Sequence, residues 1–192
     1  GASMYVTNCT FESNTSEFSG PAIGSESTNG TALITHSVFK NNQVAFFGQF
    51  LVPPVYAGGG AVVNAGVLSI AASSFQSNIL RSSVRGGAVL NDGTLSIIDS
   101  TFEGNSATNP IARGGAIFNG GTLGLTNVTL TGNGARFGSA VDNPLGVAMR
   151  MVNCTVARNV QVLPETFALD VGGSLANTLE NNLVIENDRW DS

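Results

Sequence analysis

Few side chains in this chain stand at spacings that catalysis could use. There is one histidine, His36, among 13 acidic and 8 basic residues. His36 and Asp99 occupy equivalent places in a repeat described below, but Ala72 stands between them, so they cannot form a proton relay, which needs hydrogen-bond reach. Asp92 and Asp142 flank Asn91 and Asn143 and read as isolated, solvated carboxylates. Depolymerising a polysaccharide requires paired acids, a calcium-binding cluster, or a cation poised beside a carboxylate. No such cluster is legible, so no catalytic residue, metal ligand or cofactor is assigned. His36, in Ile34-Thr35-His36-Ser37, is expected on an outward strand position.

Binding chemistry is better represented. Arg81, Arg85, Arg113 and Arg136 fall at one recurring place, and Arg85 and Arg113 each directly precede a Gly-Gly-Ala triplet. If those triplets stack, the two guanidinium groups lie about 5 Å apart and call for counterions, nearby acids or an anionic ligand such as an acidic glycan. Phe46, Phe47, Phe50 and Tyr56 share a stretch stiffened by Pro53 and Pro54, which suits stacking on sugar rings or anchoring a protein. Five N-x-[ST] sequons, at Asn8, Asn14, Asn29, Asn127 and Asn153, could carry glycan in a secretory host.

What must position these groups is a repeat. A tetrapeptide ending in Asn recurs at Phe11–Asn14, Phe39–Asn42, Phe75–Asn78, Phe102–Asn105, Leu130–Asn133, Val156–Asn159 and Val184–Asn187, at steps of 28, 36, 27, 28, 26 and 28 residues. Between these motifs stand Gly59-Gly60-Ala61-Val62, Gly86-Gly87-Ala88-Val89 and Gly114-Gly115-Ala116-Ile117. Weaker copies begin at Gly20, Gly138 and Gly172. A fixed period over the whole length means one unit stacked on copies of itself. Apolar residues nowhere follow helical spacing, and Gly, Asn, Ser, Thr and Val favour turns and strands.

Three short strands per repeat, with no helix between, predict a right-handed parallel β-helix of about six to seven coils in a single domain, 1–192. The Phe positions should stack inside and the asparagines should form hydrogen-bonded ladders at the turns. Cys9 and Cys154 then share one inward stack roughly 24 Å apart, too far for a disulfide, and are expected to be free. From each motif Asn to the next glycine motif the chain inserts 5, 16, 7, 8, 4 and 12 residues. Length variation therefore gathers at one corner, where binding loops on rigid scaffolds usually sit.

The alternation of GGA[ILV] with FxxN resembles the repeat of the polymorphic outer membrane proteins of chlamydiae, within the pectin-lyase-like superfold. The resemblance covers nearly the whole chain and implies a secreted or cell-surface protein, adhesive or structural, without catalytic activity. The expected partners are a carbohydrate or a cell-surface protein met at the variable corner. Two alternatives stand beside it: a polysaccharide lyase or epimerase, or a degenerate relative; and a water-ordering surface made by the row Thr10, Val38, Ser74, Thr101, Thr129 and Thr155. The net charge of −5 disfavours nucleic acid, and no apolar run long enough to span a bilayer is present. The chain reads as a monomeric piece of a longer protein whose final segment, Leu179 to Ser192, is expected to cap the last coil.

Overall fold

The computed structural model describes residues 2–25, 27–45, 58–81, 85–144, 146–161, 167–172 and 177–187. These form a parallel β-helix whose strands stack into four sheets of seven, seven, six and six strands. In one regular coil the strands are Val89–Asn91, Thr94–Ile98, Thr101–Glu103 and Ser106–Ala107. The two-residue strand that follows the motif Asn is a fourth, where sequence alone suggested three. It is too short for alternation to register, and its stacking becomes visible only when Leu80 sits over Ala107.

We number the sheets from the N-terminus. The first runs from Ser3–Thr7 to Thr178–Glu180, the second from Thr10–Glu12 to Leu183–Ile185, the third from Thr15–Ser16 to Val160–Gln161, and the fourth from Ile23–Ser25 to Leu169–Val171. All registered pairs are parallel and place like residues above like. Ala32, Leu68, Leu95, Leu123 and Met149 form one inner column, and Ile34, Ile70, Ile97, Leu125 and Met151 form another. The motif aromatics Phe11, Phe39, Phe75 and Phe102 stack with centroids 4.9, 4.6 and 4.5 Å apart and planes within 4°. Beyond them Leu130 and Val156 continue the column, so the main core is one continuous stack.

Three left-handed corners per coil turn the chain. The first holds Asn8, His36, Ala72, Asp99, Asn127, Asn153 and Asn181, with φ between 47° and 54°. His36 thus lies at a turn and not on a strand as expected. Asn is the residue that best tolerates this conformation after Gly, which explains its frequency in the row. A second corner just before the motif Asn runs from Ser13 to Glu186, and a third uses the first glycine of each triplet, as at Gly86 with φ 77°. At Gly87 the constraint is space, because a Cβ there would overlap the Gly115 carbonyl.

The motif asparagines from Asn42 to Asn159 are buried and form a directional ladder. In each rung the backbone N–H and the side-chain amide both donate to the Oδ1 of the next coil, as Asn78 does to Asn105 at 3.0 and 2.8 Å. The same amide also donates backward to the carbonyl of the previous Phe, Asn105 to Phe75 at 3.0 Å. A second ladder joins Asn64, Asn91, Asn119 and Asn143 along the fourth sheet.

Two further expectations are corrected by register. The sixth copy of the glycine motif is not Gly172-Gly173-Ser174-Leu175. Leu169 pairs with Val141 and Ala168 takes the place of Ala140, so the extra residues lie after that strand instead of before it. The segment expected as a cap is a further rung through Asn187, with Leu183 and Val184 each 52% exposed; residues 188–192 lie outside the described residues. Cys9 and Cys154 do share a column, with Ser37, Ser73, Ser100 and Val128 between them, and both are free. Cys9 is exposed because its coil is the first, whereas Cys154 is buried and burial pushes its thiol pKa up, which keeps it protonated and unreactive.

Because the side chain of a mid-ladder Asn such as Asn105 serves four hydrogen bonds, its loss leaves several buried groups unpaired at about 1–3 kcal/mol each. Asn105→Ala is therefore expected to lower stability by at least about 3 kcal/mol in urea unfolding, whereas Asn14→Ala, at the half-buried first rung, should cost about 1 kcal/mol or less.

Candidate functional site

The variable corner lies between the third and fourth sheets. There the residue preceding each glycine triplet forms a bridge to its counterpart in the next coil: Ser19 to Gly58, Arg85 to Arg113, and Arg113 to Phe137. The expected stacking of Arg85 on Arg113 is present. The corner is not, however, an open basic row, because Arg85, Arg113 and Arg136 are each engaged with protein.

The Arg85 guanidinium lies 5.3 Å from the Phe118 ring centroid, and the coulombic influence of Arg85 reaches Asp92. Arg113 makes a two-point ion pair with Asp142, Nε to Oδ2 and Nη2 to Oδ1 at 3.1 Å, and covers the Phe137 ring at 5.6 Å. Arg136 approaches the same ring at 5.2 Å and donates through Nη1 to the Pro110 carbonyl. Arg81 is exposed. Phe46, Phe47, Phe50 and Tyr56 lie outside the described residues.

Asp142 corrects the reading of scattered, solvated acids, for it is fully buried. Its position explains why. Fourth-sheet strands are covered on both faces: Val62, Val89 and Ile117 point into the main core, while Val63, Leu90 and Phe118 form a second apolar cluster outside it. Asp142 continues that outer column in register with Phe118, and Asp170 follows it. A strand buried on both sides has no polar alternation to reveal it. The signal that could have found Asp142 is its alignment under Val63, Leu90 and Phe118 in successive repeats.

Burial raises the Asp142 carboxyl above its ordinary value, against the lowering effect of the Arg113 hydrogen bond and charge. The Arg113 pKa is raised, chiefly by its bond to Asp142. Asp92 is raised by burial and lowered by Arg85. A buried carboxylate held by a bidentate arginine suits structure more than turnover, since both oxygens are occupied.

Outside the corner the polar residues are dispersed. Asp99 accepts from the Asn127 amide at 2.9 Å and lies two rungs from His36. Among the described residues no three His, Cys, Asp or Glu side chains converge as a metal site would require. A shallow depression at the first rung, lined by Met4, Gly24, Ser25, Gly30, Thr31 and Ala32, has no ionisable side chain among the described residues that line it. The sequons divide sharply. Asn8, Asn29, Asn127 and Asn153 are exposed, while Asn14 donates its amide to Asn42 Oδ1 at 2.8 Å as the first rung of the ladder.

Exposed apolar residues also mark the corner. Ile111 is 59% and Phe167 67% exposed, and both stand where chain length varies. Sequence reading passed over them because neither belongs to a motif.

Deleting one member of a buried ion pair costs more than replacing both. Asp142→Leu and Arg113→Met alone are expected to lose about 3 kcal/mol each in urea unfolding, the lower end of the usual range because the Arg113 side chain is 40% exposed. The double variant should recover most of it. The native protein takes up the Asp142 proton at higher pH than the unfolded chain. This contribution is therefore full below the unfolded pKa and is lost as pH rises through the native one. Urea midpoints across that window should fall with pH for the wild type and flatten for Asp142→Asn. In a eukaryotic secretory host, glycan should appear by mass spectrometry only at Asn8, Asn29, Asn127 or Asn153; occupancy at Asn14 would require the ladder to open.

Residues 99–120 match the family model described as the Chlamydia polymorphic membrane protein (Chlamydia_PMP) repeat. The stretch opens on the left-handed corner at Asp99, passes through Phe102–Asn105 and Gly114–Ile117, and closes just after the ladder residue Asn119. No curated protein and no solved structure matches the chain. The same corners, ladders and inner columns recur from coil to coil, so the parallel β-helix repeats throughout the unit that, at residues 99–120, is similar to the chlamydial polymorphic membrane protein repeat.

Proposed function

We propose that this chain is a non-enzymatic cell-surface module, adhesive or structural, whose variable corner contacts a glycan or a cell-surface protein. The observation that carries this reading is the division of labour among its side chains. The periodic polar residues are bonded coil to coil in ladders, and the third-to-fourth-sheet corner carries the longest irregular connection together with exposed Arg81, Ile111 and Phe167. A rigid scaffold that carries variable connections at its edges is how solenoids build binding surfaces. The membrane-protein name of the matched repeat supports a place at the cell surface.

Within the binding surface expected from sequence, the arginines are not equivalent. Arg113 and Arg136 serve the fold, and Arg81 with the outer edge of Arg85 remains available to an anionic group. Arg113→Ala is therefore an unsuitable probe, because it would uncover the buried Asp142 charge.

The test is a glycan array together with adhesion to intact and protease-treated cells. The chain would be compared with Arg81→Ala/Arg85→Ala and with Ile111→Asp/Phe167→Ser. Truncating anchors of this kind is expected to weaken binding roughly tenfold or more. Binding that survives both variants unchanged would move the contact away from this corner. Cleavage of a uronate polymer by the chain would replace the proposal with an enzymatic one.

A further inference from the structure

The sequence contains three Asn-Gly pairs, at Asn29-Gly30, Asn119-Gly120 and Asn133-Gly134. Such pairs can rearrange without a catalyst. The glycine backbone nitrogen loses its proton and attacks the asparagine Cγ; the new N–Cγ bond forms as the Cγ–Nδ2 bond breaks and ammonia leaves. Water then opens the cyclic imide at either carbonyl, giving aspartate or isoaspartate. The reaction needs a glycine nitrogen that a local opening can release and an asparagine side chain free to swing over it.

The ladders deny both at two of the three sites. Asn119 is fully buried, donates to Asn143 Oδ1 at 2.6 Å and accepts from Asn91 at 2.7 Å. Its prospective nucleophile, the Gly120 N–H, donates to the Asn91 carbonyl at 2.6 Å. Asn133 is likewise buried and bonded to Asn159 Oδ1 at 2.9 Å and the Phe102 carbonyl at 3.1 Å, while the Gly134 N–H donates to the Asn105 carbonyl at 2.9 Å.

Asn29 stands outside any ladder because its coil is irregular there. In a regular coil only Ala65 and Gly66 separate the ladder residue Asn64 from the strand opening at Val67. In the first coil Ser25 occupies the ladder position, and residues 26–30 precede the strand at Thr31. The asparagine is thereby carried onto an exposed turn closed by the Gly30 N–H to Ser27 carbonyl bond at 3.1 Å and tied to the next coil by the Val67 N–H to Gly30 carbonyl bond at 2.9 Å; among the described residues its own side chain has no hydrogen-bond partner.

We infer that Asn29 is a site of spontaneous deamidation and that the ladders protect Asn119 and Asn133 from the same reaction. The product adds a negative charge beside the outer face of the first sheet. The outward residues of that face in its first two rungs, Ser3, Tyr5, Thr7, Thr31, Leu33 and Thr35, are all uncharged. It also abolishes the Asn29-Gly30-Thr31 sequon, so glycosylation and deamidation exclude each other there.

Incubating the folded chain in warm, mildly alkaline buffer, with a parallel sample in concentrated urea, tests this by peptide mapping with isoaspartate detection. In the native sample Asn29 should react at least roughly a hundredfold faster than Asn119 or Asn133, which must wait for local opening. In urea all three should react at similar rates. Asn29→Gln should remove the acidic species seen on isoelectric focusing of the native sample. An unmodified Asn29 in the native sample, or native rates at Asn119 and Asn133 matching Asn29, would overturn the inference.

Discussion

The ladder of buried asparagine amides is the interaction on which everything else in this β-helix depends. Parallel sheets satisfy backbone groups along the strands but leave them unpaired where the chain turns, and a buried unpaired group is costly. Each motif Asn resolves this by donating forward from both backbone and side chain and backward to the preceding Phe carbonyl. The geometry works only if every coil presents the amide at the same height. Register is thereby imposed on the aromatic column, on the left-handed corners flanking the motif strand, and on the glycines that let neighbouring coils approach.

That registration has an electrostatic corollary at the variable corner. Stacked coils place like residues above like, so a row of arginines would repel itself unless each had a partner. The structure supplies different partners in successive coils: the Phe118 ring for Arg85, the Asp142 carboxylate and Phe137 ring for Arg113, and the Pro110 carbonyl with the same ring for Arg136. A second cluster, Val63, Leu90 and Phe118, lies beneath them and excludes water from Asp142. Three of the four corner arginines thus have partners within the fold, and Arg113 alone among them is paired with a carboxylate.

Architecture was far more legible than the site. Phe39, Phe75 and Phe102 could be assigned to one inner column, and Asn42, Asn78 and Asn105 to one ladder, because a period of 27–36 residues offers few other arrangements. The separation of Cys9 from Cys154 followed from the same count. Misplacements occurred where period and neighbourhood part company. His36 looked like a strand residue because its neighbours alternate, yet it turns the chain. Gly172 looked like a motif glycine by composition, yet Ala168 and Leu169 hold that register.

The sequence by itself determined the stacking: identical residues recurring at near-constant steps can bury their apolar side chains and pair their amides only by lying over one another. Tertiary structure alone decided the fate of individual charges and asparagines. Burial and pairing depend on what the next coil places 5 Å away, about one strand spacing, and that neighbour lies a whole repeat distant along the chain. Asp142 and Asp99 are both aspartates beside repeat motifs, yet one is enclosed under Arg113 and the other faces outward to Asn127. Asn29 and Asn119 both precede glycine, and only the ladder makes them chemically different.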